Sequence, residues 1–93
     1  MPKVSIVIPA YNEEAFIGKL LEVILQVNIQ SVGFEREIIV VDNGSSDQTS
    51  EIVRRFPEAR LLRIEVNKGK GDGVRYGISQ ATGDYILIQD ADL

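Results

Sequence analysis

A short apolar run in the middle of the chain decides the fold: IIVV at residues 38–41, followed at once by DNG at residues 42–44. A β-branched run that ends in turn-forming residues is typical of a buried strand. Comparable runs lie at residues 4–8 (VSIVI), 61–66 (LLRIEV) and 85–88 (YILI). Because most of these runs are nearly continuous in apolar residues, they favour strands covered on both faces, as in a parallel sheet.

Amphipathic stretches between the four runs predict three helices. The first follows Asn12, a good N-cap residue, and carries apolar residues at helical spacing. The second is expected to begin near Ser45, which starts a capping-box pattern. The third spans about residues 72–81 and contains Gly77, whose cost of roughly 1 kcal/mol relative to alanine a close approach to the sheet would justify. Residues 27–36 are predicted to form an irregular connection.

The order of predicted elements is βαβαβαβ, which indicates an α/β, Rossmann-like, three-layer sandwich on a parallel sheet with right-handed crossovers. The run at residues 61–66 mixes apolar and charged residues, which favours an edge strand. The run at residues 85–88 is apolar throughout, so we expect neighbours on both of its sides. The sequence ends soon after this run, and we expect residues 1–93 to be one domain portion of a longer protein.

The composition excludes several kinds of site. The chain contains no Cys and no His, so it builds neither a thiolate nucleophile nor a His-containing triad. Any metal ion must be bound by oxygen atoms, which favours Mg²⁺, Mn²⁺ or Ca²⁺. With 14 acidic and 10 basic residues, the net charge is −4, and we expect no nucleic-acid partner. No apolar run approaches the about 20 residues of a membrane span, so a cytoplasmic location is expected.

Polar residues follow each of the four predicted strands. These clusters are PAYNE at residues 9–13, DNGSSD at residues 42–47, NKGKGD at residues 67–72 and DAD at residues 90–92. Taken singly, such residues are explained by turn and cap chemistry. In open parallel α/β sheets, however, ligands bind beyond the carboxyl ends of the strands. We therefore expect the four clusters to converge on one edge of the sheet.

Asp90 and Asp92 give the sharpest chemical signal. Residues two apart in an extended chain point the same way and lie about 6–7 Å apart, so a divalent cation would relieve the repulsion between the carboxylates. The loop at residues 67–71 could supply N–H groups and lysine charge to a diphosphate. Asp42 could accept a hydrogen bond from a base or a ribose, and an Asx-type turn is the alternative for this residue.

Together the four clusters resemble the family 2 glycosyltransferases of the GT-A fold. The likeness is greatest to the dolichyl- or polyprenyl-phosphate mannosyl- and glucosyltransferase branch. It covers essentially the whole chain and is carried by residues 4–13, 39–47, 67–71 and 81–93. The resemblance implies a sheet order of 3-2-1-4, in agreement with the edge position expected for the third strand. Residues 1–93 would then be the N-terminal, nucleotide-sugar-binding part of the transferase domain.

The resemblance also implies a binding site for a donor sugar linked to GDP or UDP. The residues implicated in donor binding are Pro9, Ala10, Tyr11, Glu13, Asp42, Lys70, Asp90 and Ala91. Asp90 and Asp92 match the family's Asp-x-Asp motif, which implies Mg²⁺ or Mn²⁺ bridged to the donor diphosphate. Asn43 stands where many members have a second Asp, and this leaves a direct role for Asn43 open.

The implied chemistry is hexosyl transfer with inversion, to a lipid phosphate or a saccharide acceptor. The acceptor site and any catalytic base would lie beyond Leu93, so no catalytic residue is assigned and the isolated chain is expected to be inactive. Association of the full-length protein with the cytoplasmic face of a membrane stays open. Two other interpretations also stay open: a non-catalytic nucleotide- or metal-binding module, and a structural fragment that dimerises through its exposed fourth strand.

Overall fold

Strands and helices alternate along the chain. The computed structural model describes residues 1–91. Its elements are β1 (Lys3–Ala10), α1 (Ile17–Gln26), a 3-10 helix (Ile29–Val32), β2 (Glu35–Asn43), α2 (Thr49–Val53), β3 (Ala59–Ile64), α3 (Lys70–Gln80) and β4 (Tyr85–Ile88). The predicted element order is confirmed, and the 3-10 helix lies in the connection expected to be irregular. Across residues 1–91, each helix is too short or too polar to cross a bilayer.

The sheet is parallel and has the order β3-β2-β1-β4, which confirms the predicted order 3-2-1-4. The central strand β1 pairs with β2 from Lys3 to Ala10 and with β4 from Val4 to Val7. β3 is an edge strand, as predicted. β4 has one neighbour among the described residues, and its four side chains are 40–59% exposed. The expectation that β4 has neighbours on both sides is therefore not met within residues 1–91.

Each face of the sheet carries its own apolar core, because successive residues of a strand point to opposite faces. Ile8 and Val40 pack beneath α1 and α2, together with Ile17 and Leu21 of α1. On the other face, the central strands contribute Val7, Ile39 and Val41. Burying one such side chain fully stabilises the fold by roughly 1.5–3 kcal/mol. The side chains on both faces of the central strands are thus buried in apolar cores, which explains the nearly continuous apolar sequences of these strands.

The helix α3 approaches the sheet through glycines rather than through large side chains. Gly73 and Gly77 are its buried residues. A Cβ atom at Gly77 would lie 2.5 Å from Cγ1 of Val7 and 3.0 Å from Cγ2 of Val41. The close approach predicted for Gly77 is confirmed, and it leaves no room for any side chain at this position.

Two helices begin later than predicted, because their expected caps bind elsewhere. Asn12 has a φ of 51° and accepts a hydrogen bond from the Ser46 N–H (2.9 Å), whereas α1 begins only at Ile17. Ser45 accepts a hydrogen bond from the Asn12 N–H (2.8 Å), whereas α2 begins at Thr49. Both capping predictions were wrong because each side chain serves a contact between two loops.

A polar network fastens the turn before β4 to the two central strands. The buried Ser5 hydroxyl donates to Glu37 Oε1 (2.6 Å) and accepts from the Gly83 N–H (2.8 Å). Glu37 also accepts from the N–H (2.8 Å) and the hydroxyl (3.1 Å) of Thr82. Burial raises the pKa of Glu37, but the hydrogen bonds and the charge of Lys3 outweigh it and hold the pKa below its ordinary value of 4.5. The carboxylate form of Glu37 therefore stabilises the fold.

Replacing Gly77 by alanine tests the close approach of α3. Alanine should gain up to about 1 kcal/mol in helix propensity, but overpacking typically costs about 1–3 kcal/mol. We expect a net loss of about 1–2 kcal/mol in the free energy of unfolding, measured with urea. Gly71→Ala is the matched control in the same helix, because its Cβ would meet only the guanidinium of Arg75 at 3.4 Å. Equal stabilities for the two variants would contradict the packing described.

Replacing Glu37 by glutamine tests the network beneath β4. A lowered pKa contributes stability that is present above the unfolded-state pKa and is lost as the pH falls through the folded-state pKa. Glu37→Gln should therefore lower the free energy of unfolding near pH 7 and flatten its fall between about pH 6 and pH 3. The exposed Glu22, changed to Gln, is the control and should leave that slope unchanged. Urea unfolding across this pH range makes the comparison, and parallel slopes for both variants would count against the network.

Candidate functional site

A cavity of about 250 Å³ opens at the carboxyl edge of the sheet. It is lined by Pro9, Ala10, Tyr11, Glu13, Asn43, Asn67, Gly69, Lys70 and Asp90. These residues come from the segments that end or follow all four strands, so the predicted polar clusters do meet at one edge. Among the lining residues are six that the sequence implicated in donor binding: Pro9, Ala10, Tyr11, Glu13, Lys70 and Asp90.

Two of the residues implicated in donor binding, Asp42 and Ala91, are not part of this lining. Ala91 is buried and its side chain packs in the core beneath α1, because a small apolar residue after β4 turns inward. Asp92 lies outside the described residues. Asp42 is described and lies at the end of β2, but it occupies a different environment from the cavity.

The Asp42 carboxylate is 0% exposed and fully engaged inside the protein. Its Oδ1 accepts from the Ser45 N–H (3.0 Å), and its Oδ2 accepts from Arg63 Nη1 (2.8 Å) and from the Ser50 hydroxyl. A buried carboxylate is tolerated when it is paired and hydrogen-bonded in this way. Asp42 thus lies outside the cavity lining, and its side chain points to the α2 face of the sheet and fastens the loop after β2.

Asn43 is the residue of β2 that reaches the cavity. It points to the opposite face from Asp42, is 4% exposed, and donates from Nδ2 to the Gly69 carbonyl (2.8 Å). Its Oδ1 accepts from the Lys68 N–H (3.3 Å), so the amide also holds the loop before α3. Strand alternation was the signal that could have separated Asn43 from Asp42. Asn67 also lines the cavity, as part of the loop at residues 67–71 that the sequence implicated in diphosphate binding.

The loop after β1 is fastened to the loop after β2 by three successive backbone N–H groups. The donors and acceptors are Asn12 to Ser45 Oγ (2.8 Å), Glu13 to Thr49 Oγ1 (2.9 Å) and Glu14 to Asp47 Oδ2 (3.2 Å). Burial raises the pKa of Asp47, but hydrogen bonds from Thr49 and from the Glu14 N–H outweigh it and lower the pKa. These bonds hold the backbone that carries Tyr11 at the cavity wall.

Within the same cavity lining, Lys70 forms an ion pair with Asp90. Lys70 is the first residue of α3, and the side chains are 61% and 52% exposed respectively. The Asp90 carboxylate therefore already has a cation beside it, and it is accessible to solvent. An accessible carboxylate suits Mg²⁺ or Mn²⁺, which bind through one or two carboxylates together with substrate phosphates. Residues 1–91 contain no cluster of three acidic residues that would hold a metal unaided.

A larger cavity of about 550 Å³ lies at the opposite edge, near the start of β1 and β2. Arg36, one of its charged lining residues, donates to the carbonyls of Ile24 (2.9 Å) and Val27 (2.6 Å) and so closes the end of α1. None of the four polar clusters lines this cavity. Its size alone does not make it the better candidate, because the groups suited to a charged ligand lie at the carboxyl edge.

Comparisons with known proteins agree with this arrangement. Residues 5–93 match the model of "Glycosyl transferase family 2". The dolichyl-phosphate beta-glucosyltransferase of Dictyostelium discoideum is 37% identical over 98 residues, covering 95% of this chain and 30% of that protein. This chain therefore spans under a third of the relative's length.

Two solved structures share the fold over nearly the whole chain. The mannosyltransferase PcManGT from Pyrobaculum calidifontis, in complex with GDP-Man and Mn²⁺, has a TM-score of 0.85 and 31% identity, covering 98% of this chain and 28% of that chain. S. aureus TarS 1-349, in complex with UDP, has a TM-score of 0.85 and 32% identity, with coverages of 97% and 27%. Since the family model spans nearly the entire sequence and these structures share its sheet and helices, the chain belongs to glycosyl transferase family 2.

Proposed function

We propose that this chain forms the donor-binding part of an inverting glycosyltransferase that uses a nucleoside diphosphate sugar. The observation that carries the proposal is the cavity at the carboxyl edge, where Asn43 and Tyr11 meet the charged pair Lys70 and Asp90. The structural neighbours support it, because one was solved with UDP and another with GDP-Man and Mn²⁺. An aromatic ring, an amide, an ammonium and a carboxylate in one cavity suit a nucleoside diphosphate with its metal ion.

The nucleoside is assigned to Pro9, Ala10, Tyr11 and Asn43 of the cavity lining. The exposed ring of Tyr11 offers an apolar surface beside the backbone of the loop after β1. A side-chain amide has two donor hydrogens and two acceptor lone pairs, and the described bonds of Asn43 use one of each. Asn43 therefore retains the capacity to bind a base or a ribose, whereas the carboxylate of Asp42 is enclosed.

The diphosphate is assigned to the pair formed by Lys70 and Asp90 in the same lining. Asp90 and Asp92 would hold Mg²⁺ or Mn²⁺, with the part of Asp92 resting on the match to the Asp-x-Asp motif. When bound, such an ion supplies Lewis-acid stabilisation of the negative charge on the diphosphate. The ammonium of Lys70 and the N–H groups at the start of α3 favour the same charge.

In the proposed transfer, an acceptor oxygen bonds to the anomeric carbon while the bond from that carbon to the diphosphate breaks. Negative charge then grows on the departing diphosphate, which is the side of the reaction that these residues face. No residue of this chain is assigned to activate the acceptor. A lipid phosphate acceptor, which the dolichyl-phosphate relative supports, is already ionised and needs no strong base. A saccharide is the alternative acceptor.

We also propose that residues 1–93 belong to a longer protein that carries the complete transferase. Because the curated relative is about three times as long, we propose that residues 1–93 form the N-terminal part of the transferase domain, with the acceptor site supplied by further residues. The full-length protein would then be the enzyme and could act at a membrane surface, and this chain alone should bind the donor without transferring its sugar.

Calorimetric titration with GDP and UDP, with and without Mn²⁺, tests the donor site. We expect one nucleotide to bind in a metal-dependent way. Asp90→Asn should weaken that binding at least about tenfold with Mn²⁺ and change it less than about threefold without the metal, because it removes one metal ligand.

Asp72→Asn is the matched control, since it makes the same charge change in the first turn of α3 outside the cavity lining. It should behave as the wild type does. Failure of both nucleotides to bind at millimolar concentration, or binding that ignores Mn²⁺, would contradict the donor site in this chain.

A further inference from the structure

The carboxylate assigned to the metal ion is already paired with a cation that belongs to the protein. Lys70 Nζ contacts Asp90 Oδ1, and this pair joins the start of α3 to the segment that follows β4. With more than half of each side chain exposed, either partner can move without opening the apolar core. The pair therefore occupies the position where the metal ion and the diphosphate of the donor are expected to meet.

We propose that Lys70 is a replaceable counter-ion for Asp90. A divalent metal ion that binds Asp90 displaces the Lys70 ammonium and so directs it toward the donor diphosphate. This inference rests on the proposed function for the identity of the diphosphate. It adds to that function an order of events: metal binding and nucleotide binding are linked through one lysine side chain.

Charge competition is the physical basis of the exchange. An ammonium group and a divalent ion repel each other strongly when both lie within a few ångströms of one carboxylate oxygen. An exposed lysine–carboxylate pair is weak, so a divalent ion can displace it. The flexible stem of Lys70 lets its ammonium swing while the backbone stays fixed at the start of α3.

The neighbouring basic residues do not share this position. Lys68 lies in the same loop, and its backbone N–H is bound to Asn43, but its side chain does not line the cavity. Arg75, one turn along α3, pairs with Asp72. Within the described residues, Lys70 is thus the cation that both pairs with Asp90 and lines the cavity.

The exchange predicts effects of opposite sign on the two ligands. Without Lys70, a metal ion meets no competing cation at Asp90 and should bind more tightly when nucleotide is absent. The diphosphate loses an ammonium partner, so the factor by which the metal ion tightens nucleotide binding should fall. Coupling between two ligands is reciprocal, so either ligand can report it. Damage to the fold would weaken the binding of both ligands and could not produce effects of opposite sign.

The first test is a titration of the 93-residue chain with Mn²⁺ alone. Binding is measured by calorimetry or from the electron spin resonance signal of the unbound ion. Lys70→Met should bind Mn²⁺ about tenfold more tightly than the wild type does. Lys68→Met removes the same charge from the same loop and should change the affinity less than about threefold. Lys70→Gln is a second variant that should reproduce the effect of Lys70→Met.

The second test measures the affinity for GDP and UDP at zero and at saturating Mn²⁺. The ratio of the two affinities should fall at least about threefold in Lys70→Met and should stay unchanged in Lys68→Met. Equal Mn²⁺ affinities for the Lys70 and Lys68 variants would overturn the counter-ion role. Absence of Mn²⁺ binding in both the wild type and Lys70→Met would also overturn it, because Asp90 would then take no cation in place of the lysine.

The two proposals fail in different ways. If Lys70→Met tightens Mn²⁺ binding but no nucleotide binds to any variant, the donor-site proposal fails and the counter-ion role of Lys70 toward the metal stands. If a nucleotide binds with Mn²⁺, while both lysine variants have the same affinity as the wild type for Mn²⁺ without nucleotide, the donor site stands and the counter-ion role is wrong.

Discussion

The parallel direction of all four strands is the constraint on which the rest of the structure depends. With β1 in the centre, paired to β2 on one side and β4 on the other, every strand ends at the same edge of the sheet. Four loops that are far apart in sequence therefore form one cavity. The absence of side chains at Gly73 and Gly77 lets α3 lie close to the sheet, and this brings Lys70 to that edge.

Two adjacent residues at the end of β2 divide structural and binding roles between the two faces of the sheet. Asp42 turns inward, and its charge is compensated by Arg63 and by hydrogen bonds that hold the loop after β2. Asn43 turns to the other face and joins the cavity to the loop before α3. Removing the partner of a buried carboxylate is costly, so the first position favours a permanent pairing. The second position keeps hydrogen-bonding capacity for a ligand.

Much of the fold could be predicted from the sequence, because apolar runs and turn residues report on local structure. The edge position of β3 and the close approach at Gly77 were predicted correctly from the residues, and the strand order was predicted correctly from the family resemblance. The helix starts could not be read locally, since Asn12 and Ser45 resemble caps but bind each other's loops. The direction of the Asp42 side chain could not be predicted for a related reason: proximity to a strand end does not reveal the face to which a side chain points.

We expect the donor to bind at the carboxyl edge and not in the larger cavity at the opposite edge. Mapping backbone amide shifts by NMR during titration with UDP or GDP and Mg²⁺ distinguishes between the two cavities. We expect shifts concentrated at Tyr11, Asn43, Gly69 and Lys70, with little change around the larger cavity. Shifts concentrated instead around Val27 and Arg36 would place the nucleotide in the larger cavity and contradict the proposed donor site.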